Sequence, residues 1–266
     1  MGLLKKLGLV SAEKRFPRGK PGARAYAIGD IHGRLDLLNA LITEIERDIA
    51  ARPPAKNFII FLGDLIDRGP DSAGVVERLR TYRHPNARVI FLGGNHEEVL
   101  LEILSGKLDV LPSWLKFGGA ECAASYGIDV DALRQADERV AIDMVRAKVP
   151  QAHREFLEGM ADTFSFGDYL FVHAGIRPGL AIEHQDRKDL RWIRDPFLSD
   201  AKEHGFVVVH GHTIEEDVQE RPNRIGIDTG AYRTGVLTAV AIEGDRRWFL
   251  TGRTEDSPVQ MRSVAA

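Results

Sequence analysis

The sequence predicts an α/β protein built on a parallel sheet and interrupted by a helical insertion. Three observations predict it. Strand-like apolar runs and helical periodicities alternate three times between about 23 and 105. Each apolar run ends in a glycine-rich loop that carries Asp, Asn or His. From about 105 to 162 only helical patterns are found, and strand signals resume afterwards.

The first unit is "ARAYAIGDIHG", a strand and its loop, followed by a helix with Leu38, Leu41, Ile42, Ile45 and Ile49 at helical spacing. "PPAK" breaks that helix. The second unit is "NFIIFLGDLIDRGP" and then "DSAGVVERLRTYR", where Asp71 or Ser72 is the expected N-cap. The third is "ARVIFLGGNHEE", running into "EVLLEIL". Units in this order imply parallel strands with right-handed crossovers. The runs "FIIFL" and "RVIFL" suit strands buried on both faces. "SWLKFGGAECAASYG" and "DALRQADERVAIDMVRAKV" form the insertion, expected to lie over the sheet, with Trp114, Phe117 and Tyr126 packing its core in preference to lining a substrate mouth. "YLFVHAG" and "FVVVHGH" are two further strands. "NRIGIDTGAY" and "GVLTAVAIEGDRRWFL" read as antiparallel strands with a turn at "EGDR".

Composition narrows the functional classes. The chain has 266 residues, 44% hydrophobic and 28% charged, with a net charge of −3, so no global basic field points to a nucleic-acid polymer or a membrane surface. The one cysteine, Cys122, excludes an intrachain disulfide and a thiolate metal cluster, and suits a reducing, cytoplasmic setting. Residues 1–24 are expected to be a flexible leader without a signal peptide, 25–253 a single domain, and 254–266 a frayed tail. No apolar run approaches the roughly 20 residues of a bilayer span.

Polar residues gather at equivalent places in the three units. Asp30 and His32 follow the first strand, Asp64, Asp67 and Arg68 the second, Asn95 and His96 the third. The gaps from Asp30 to Asp64 and from Asp64 to Asn95, 34 and 31 residues, are each about one βαβ unit. All three groups should therefore emerge at one carboxyl edge of the sheet, where α/β proteins place their sites. His173 and the pair His210/His212 end two further strands. Such a gathering can hold two divalent cations with one shared carboxylate.

In this order, "GDIHG", "GDLIDRG", "GNHE", "HAG" and "GHT" resemble the bacterial-type phosphoprotein phosphatase branch of the calcineurin-like metallophosphoesterases, from Ala25 to about Val240. The resemblance implies a four-layer α/β/β/α sandwich and a dinuclear metal centre. It implies one ion held by Asp30, His32 and Asp64, and a second by Asp64, Asn95, His173 and His212, with Asp64 bridging. Carboxylate, amide oxygen and imidazole donors suit Mn foremost, with Fe, Zn or Ni as alternatives. Two such ions, roughly 3.5–4 Å apart, can activate a hydroxide for in-line attack on phosphorus.

By the same resemblance His96 is the acid that protonates the leaving group, Asp67 orients it, and Arg68 grips phosphate. "RWIRDPF" places a second phosphate-binding arginine at Arg194, with Arg191 its competitor and Trp192 in the core. Asp228 of "GIDTGA" is read as a turn residue supporting the site. The wider superfamily uses a "GHxH" pair; aligned on the glycine, those positions are His212 and Ile214, so one histidine is a ligand and His210 packs.

Two departures separate the chain from the eukaryotic protein phosphatases. Gly93 stands where they carry arginine before "GNHE", and "IGIDTGAYRTG" replaces their "SAPNYC"-type signature. The activity expected first is hydrolysis of phosphoserine or phosphothreonine in proteins, and of small phosphoesters. The alternative is a symmetrical diadenosine tetraphosphatase-like nucleotide pyrophosphohydrolase. A catalytically dead binding module is disfavoured because every inferred ligand is present.

Overall fold

A computed structural model describes residues 16–254. Residues 1–15 of the expected leader and 255–266 of the expected tail lie outside the described residues. From Phe16 the chain is tied to both sheets. Arg18 N donates to Asp168 Oδ2 at 2.8 Å and Gly19 N to Gly244 O at 2.7 Å.

The first sheet has the order β10-β9-β1-β2-β3. Strands β1 (Ala23–Ile28), β2 (Lys56–Phe61) and β3 (Ala87–Phe91) are parallel, as the three units predict. Helices α1 (Leu35–Ala51) and α2 (Ser72–Arg80) form two of the crossovers. Asp71 is the N-cap of α2, its carboxylate accepting from Gly74 N at 2.8 Å. Strands β9 (Val236–Glu243) and β10 (Arg246–Arg253) complete the sheet as an antiparallel hairpin that turns at Gly244 and Asp245. After β3, helix α3 (Asn95–Ser105) leads into α4 (Leu111–Trp114), a wide turn at Leu115–Gly119, α5 (Ala120–Ser125), α6 (Val130–Gln135), α7 (Glu138–Lys148) and α8 (Gln151–Glu158).

The second sheet has the order β4-β5-β6-β8-β7, from β4 (Thr163–Phe166), β5 (Tyr169–Val172), β6 (Val207–His210), β7 (Gln219–Glu220) and β8 (Arg224–Gly226). Between β5 and β6 lies helix α9 (Arg187–Trp192), and α10 (Ala231–Thr234) precedes β9.

Strand alternation sorts side chains into layers. On β2, Ile59 and Phe61 face the helical layer with Leu38, Leu41 and Val75, while Phe58 and Ile60 face the second sheet with Phe171, Val209 and Ile225. On the far side of the second sheet, Leu170, Val172 and Val208 pack against Leu190, Ile193 and Phe197. The result is a four-layer α/β/β/α sandwich with an apolar seam between the sheets.

Two expectations are corrected. β3 is an edge strand and not a doubly buried one; Arg88 is exposed and Phe91 is half-buried, stacking on Phe61 at 5.1 Å. An apolar run at an edge reads the same as one in the centre when a helix, here α8 through Phe156, covers its side. "NRIGIDTGAY" also departs from the antiparallel reading. β8 runs parallel to β6 and antiparallel only to the two-residue β7, so it extends the parallel core of the second sheet.

Candidate metal centre

The carboxyl ends of β1, β2, β3, β5 and β6 point at one place, and there the backbone is forced. Among the described residues, the non-glycine positions with positive φ are His32 (47°), Asp64 (47°), Asp67 (70°), Arg68 (68°) and His212 (62°). All five belong to the expected site. Strain of this kind persists only where surrounding contacts impose it, and it clusters at functional sites.

Asp64 is the hub. Its Oδ1 lies 3.4 Å from His173 Nε2, and its Oδ2 lies 3.7 Å from His32 Nε2 and 3.9 Å from His96 Nε2. One carboxylate thus faces two sets of imidazoles with its two oxygens. Two groups of potential ligands share it: His32, Asp64 and His96, and Asp64, His173 and His212. Asn95 joins the second group, its Oδ1 lying 3.0 Å from His173 Nε2 and 2.8 Å from His212 Nδ1. Asp30 is turned differently. Its Oδ2 accepts from His212 N at 3.0 Å, and its Oδ1 is buried without a hydrogen-bond partner. Gly211 makes this approach possible, because a Cβ there would lie 2.0 Å from Asp30 Oδ1.

Hydrogen bonding and charge both fit cations at this place. His32 Nδ1 donates to Ile66 O at 2.8 Å and His173 Nδ1 donates to Leu62 O at 2.9 Å, which leaves Nε2 of each ring as the inward lone pair. Burial pushes the His32 imidazole down to about 3 and lowers His173 as well, which favours the uncharged form of both rings. In its uncharged form His173 turns the Nε2 lone pair to Asn95 Oδ1 at 3.0 Å, a contact that a cation bound by both would make favourable. Burial alone would raise the Asp64 carboxyl, but the surrounding imidazoles, His173 foremost, hold it below the usual carboxylate range. Asp30 shows the opposite. Burial, then the carboxylates of Asp228 and Asp64, push it well above that range. Crowded buried carboxylates beside buried imidazoles are the donor set a divalent ion relieves.

His96 differs from the other rings. Its Nδ1 donates to Asp67 Oδ2 at 2.6 Å. Burial would lower its pKa, yet the Asp64 and Asp67 carboxylates outweigh burial and raise it to about 9. Its Nε2 faces Arg68 Nη2 at 3.2 Å. Arg68 lies over the Tyr232 ring, 5.0 Å from its centroid, and makes no ion pair with a carboxylate among the described residues.

Above the cluster opens a cavity of about 800 Å³, lined by Arg68, Lys188, Arg194, Phe117 and Trp192 among others. Arg194 therefore faces the site. Its competitor Arg191 is buried and bound to Asp162 at 2.8 Å. Trp192 is not in the core as expected. It is 39% exposed and lines the cavity, its indole N–H held by Glu98 Oε2 at 2.8 Å. The one-residue step from Arg191 to Trp192 on a short helix turns the indole outward, and sequence spacing could not show this. Phe117 also lines the cavity at 59% exposure and Trp114 lines it from a buried position, while Tyr126 packs away from it and donates to His153 Nδ1 at 2.9 Å or accepts from it. The β6 strand ends at His210. That ring stays against Phe197, 5.1 Å between centroids, while His212 turns into the cluster.

Sequence reasoning gave no role to Glu97. Its buried carboxylate accepts from Asp64 N, Leu65 N and Gly94 N at 2.8–2.9 Å and ties the second and third loops together. The signal was there: an acidic residue at the third helical position can reach back to the loop before it. The Asp228 carboxyl, raised to about 6 by burial foremost, stands beside Asp30 with Oδ1 accepting from Gly230 N at 2.9 Å, where the sequence expects a supporting turn residue.

A two-sheet sandwich whose strand ends gather carboxylates, an amide and imidazoles around one aspartate has the donor set of a metal-dependent phosphoesterase. The family model described as calcineurin-like phosphoesterase matches residues 23–233, and this chain belongs to that family. A symmetrical bis(5'-nucleosyl)-tetraphosphatase of Methylobacillus flagellatus is 27% identical, with 82% of this chain and 92% of that protein covered. Serine/threonine-protein phosphatase 1 of Salmonella typhimurium is 26% identical, covering 82% and 91%. A crystal structure provisionally described as a diadenosine tetraphosphatase superposes with a TM-score of 0.61 at 20% identity over 88% of this chain and 96% of that one, a likeness of fold. No helix among the described residues is long and apolar enough to cross a membrane.

Proposed function

We propose that this phosphoesterase uses two divalent ions, Mn²⁺ foremost, to hydrolyse a nucleoside polyphosphate, with a symmetrically cleaved dinucleoside tetraphosphate as the leading substrate. Asp30, His32 and Asp64 would hold one ion, and Asp64, Asn95, His173 and His212 the other. When bound, such ions act as Lewis acids on phosphoryl oxygens and lower the pKa of water towards about 7.

The protein's own groups do the rest. The Asp67 carboxylate holds Nδ1 of His96, so the charged ring aims its Nε2 proton at the cavity. Arg68 Nη2 lies 3.2 Å from that nitrogen, and two N–H donors so close need a shared anion, which a phosphoryl oxygen would supply. His96 would hand its proton to the departing oxygen. Arg194 and Lys188, lining the same cavity, would take phosphates further from the cluster.

The observation that carries the nucleotide reading is the cavity. At about 800 Å³, with two exposed aromatic side chains and cations beyond Arg68, it suits a polyphosphate with a nucleobase at its end. The similarity to the Methylobacillus tetraphosphatase supports the same choice. The reading placed first on sequence grounds, phosphoserine or phosphothreonine in proteins, keeps the support of the Salmonella protein phosphatase. Product analysis with Mn²⁺-loaded protein separates them. Diadenosine tetraphosphate should yield ADP faster than a phosphoserine peptide yields phosphate; the reverse order would return the protein substrate to first place.

A further inference from the structure

The helical segment between α3 and β4 reaches into the active site at two adjacent loop residues. Trp114 Nε1 donates to Asp67 Oδ1 at 3.1 Å, while Asp67 Oδ2 accepts from His96 Nδ1 at 2.6 Å. Gly118 O accepts from Arg68 N at 3.0 Å. We propose that Trp114 is a positioning residue for the Asp67–His96 pair, so that this segment sets the aim of the proton donor. The proposal rests on the reading of His96 as that donor.

Each oxygen of the Asp67 carboxylate has one fixed ring N–H. The indole holds Oδ1, which sets the plane of the carboxylate and presents Oδ2 to the imidazole. Asp67 is fully buried and Trp114 is 3% exposed, so the indole N–H, and not bulk solvent, satisfies Oδ1. A buried carboxylate that loses one donor keeps its desolvation cost and gains freedom to rotate.

The local sequence is shaped around this contact. The wide turn at Leu115–Gly119 breaks helical geometry at Phe117 and at Gly118, where φ is 109°. A Cβ at Gly118 would lie 2.5 Å from Arg68 N, and one at Gly119 would lie 2.2 Å from the Trp114 ring. The first glycine lets the segment touch the Arg68 loop, and the second leaves room for the indole. Packing alone would ask only for an apolar residue at 114. The hydrogen bond to a carboxylate that itself touches His96 asks for the N–H.

The test compares Trp114→Phe, His96→Asn and the unaltered Mn²⁺-loaded protein on aryl phosphates from p-nitrophenyl to phenyl phosphate. A rate that depends on proton donation falls most where the leaving group is most basic. His96→Asn should steepen the dependence on leaving-group pKa. Trp114→Phe should steepen it in the same direction, with phenyl phosphate losing roughly tenfold more than p-nitrophenyl phosphate, the factor of one hydrogen bond to a charged group. In the metal-free protein the Nδ1 proton of His96 should resonate downfield and shift in the Trp114 variant, a readout independent of turnover. If the phenylalanine variant does not fold, a benzothienylalanine at 114 keeps the ring shape and removes only the N–H. A folded variant lacking the N–H with the original slope would overturn the proposal and leave Trp114 as packing. An unchanged slope in His96→Asn would instead sink the proton-donor reading, and the proposal with it.

Discussion

Asp64 meets His173 through one oxygen and His32 and His96 through the other, and this divided loyalty was legible in the sequence only as position. The family resemblance implies Asp64 as the shared ligand; the structure shows its two oxygens facing two donor sets. The paired histidines of "FVVVHGHT" separate for a simple reason. β6 stops at His210, and positive φ at His212 turns the second ring towards Asn95. Alternation along a continued strand would have aimed both rings alike. At this scale His96 carries the clearest prediction. His96→Asn removes the imidazolium but none of the proposed ligands. The variant should retain metal while turnover falls by a factor within about 10²–10⁴. Steady-state kinetics with metal analysis checks this; an unchanged rate on phenyl phosphate would remove His96 from the acid role.

At the scale of elements, the strand–loop–helix rhythm was readable because each loop ends a strand with glycine and polar residues. What escaped was how loops are joined to each other. Glu97, at the third position of α3, accepts from Gly94 N, the local contact its position signals, and from the Asp64 loop, a contact distant in sequence with no periodic signature. Burial foremost, with the Asp64 carboxylate, pushes its pKa up to about 7. Glu97→Gln would place an NH₂ group against backbone N–H donors and leave buried amides unsatisfied. We expect a loss of about 1–3 kcal/mol per stranded group and a lower Tm by several degrees, measured by calorimetry. A Tm equal to that of the unaltered protein would show that Glu97 is not the tie between the loops. The helical segment was legible as helix, but not as a contributor of Trp114 and Gly118 to the site, because those contacts depend on one kinked turn. The edge position of β3 and the parallel pairing of β8 were likewise hidden, since pairing partners leave no mark on a short apolar run.

For the whole molecule, the two sheets matter because each brings part of the site. Asp30, Asp64 and Asn95 come from the first sheet's edge, and His173 and His212 from the second. The apolar seam between the sheets, with Phe58 and Ile60 against Phe171 and Ile225, fixes their distance. The substrate was not legible in the sequence, because much of the cavity wall beyond the motifs comes from α3, the connection from α3 to α4, Phe117 of the wide turn and the α9 region. The central claim is that these two halves together bind a pair of ions through Asp64. Metal content after reconstitution with Mn²⁺ and removal of free ion tests it directly. Unaltered protein should carry about two Mn²⁺ per chain, and Asp64→Asn one or none, with the fold retained by circular dichroism. An unaltered chain that holds one ion or none, or an Asp64→Asn variant that keeps both, would contradict it.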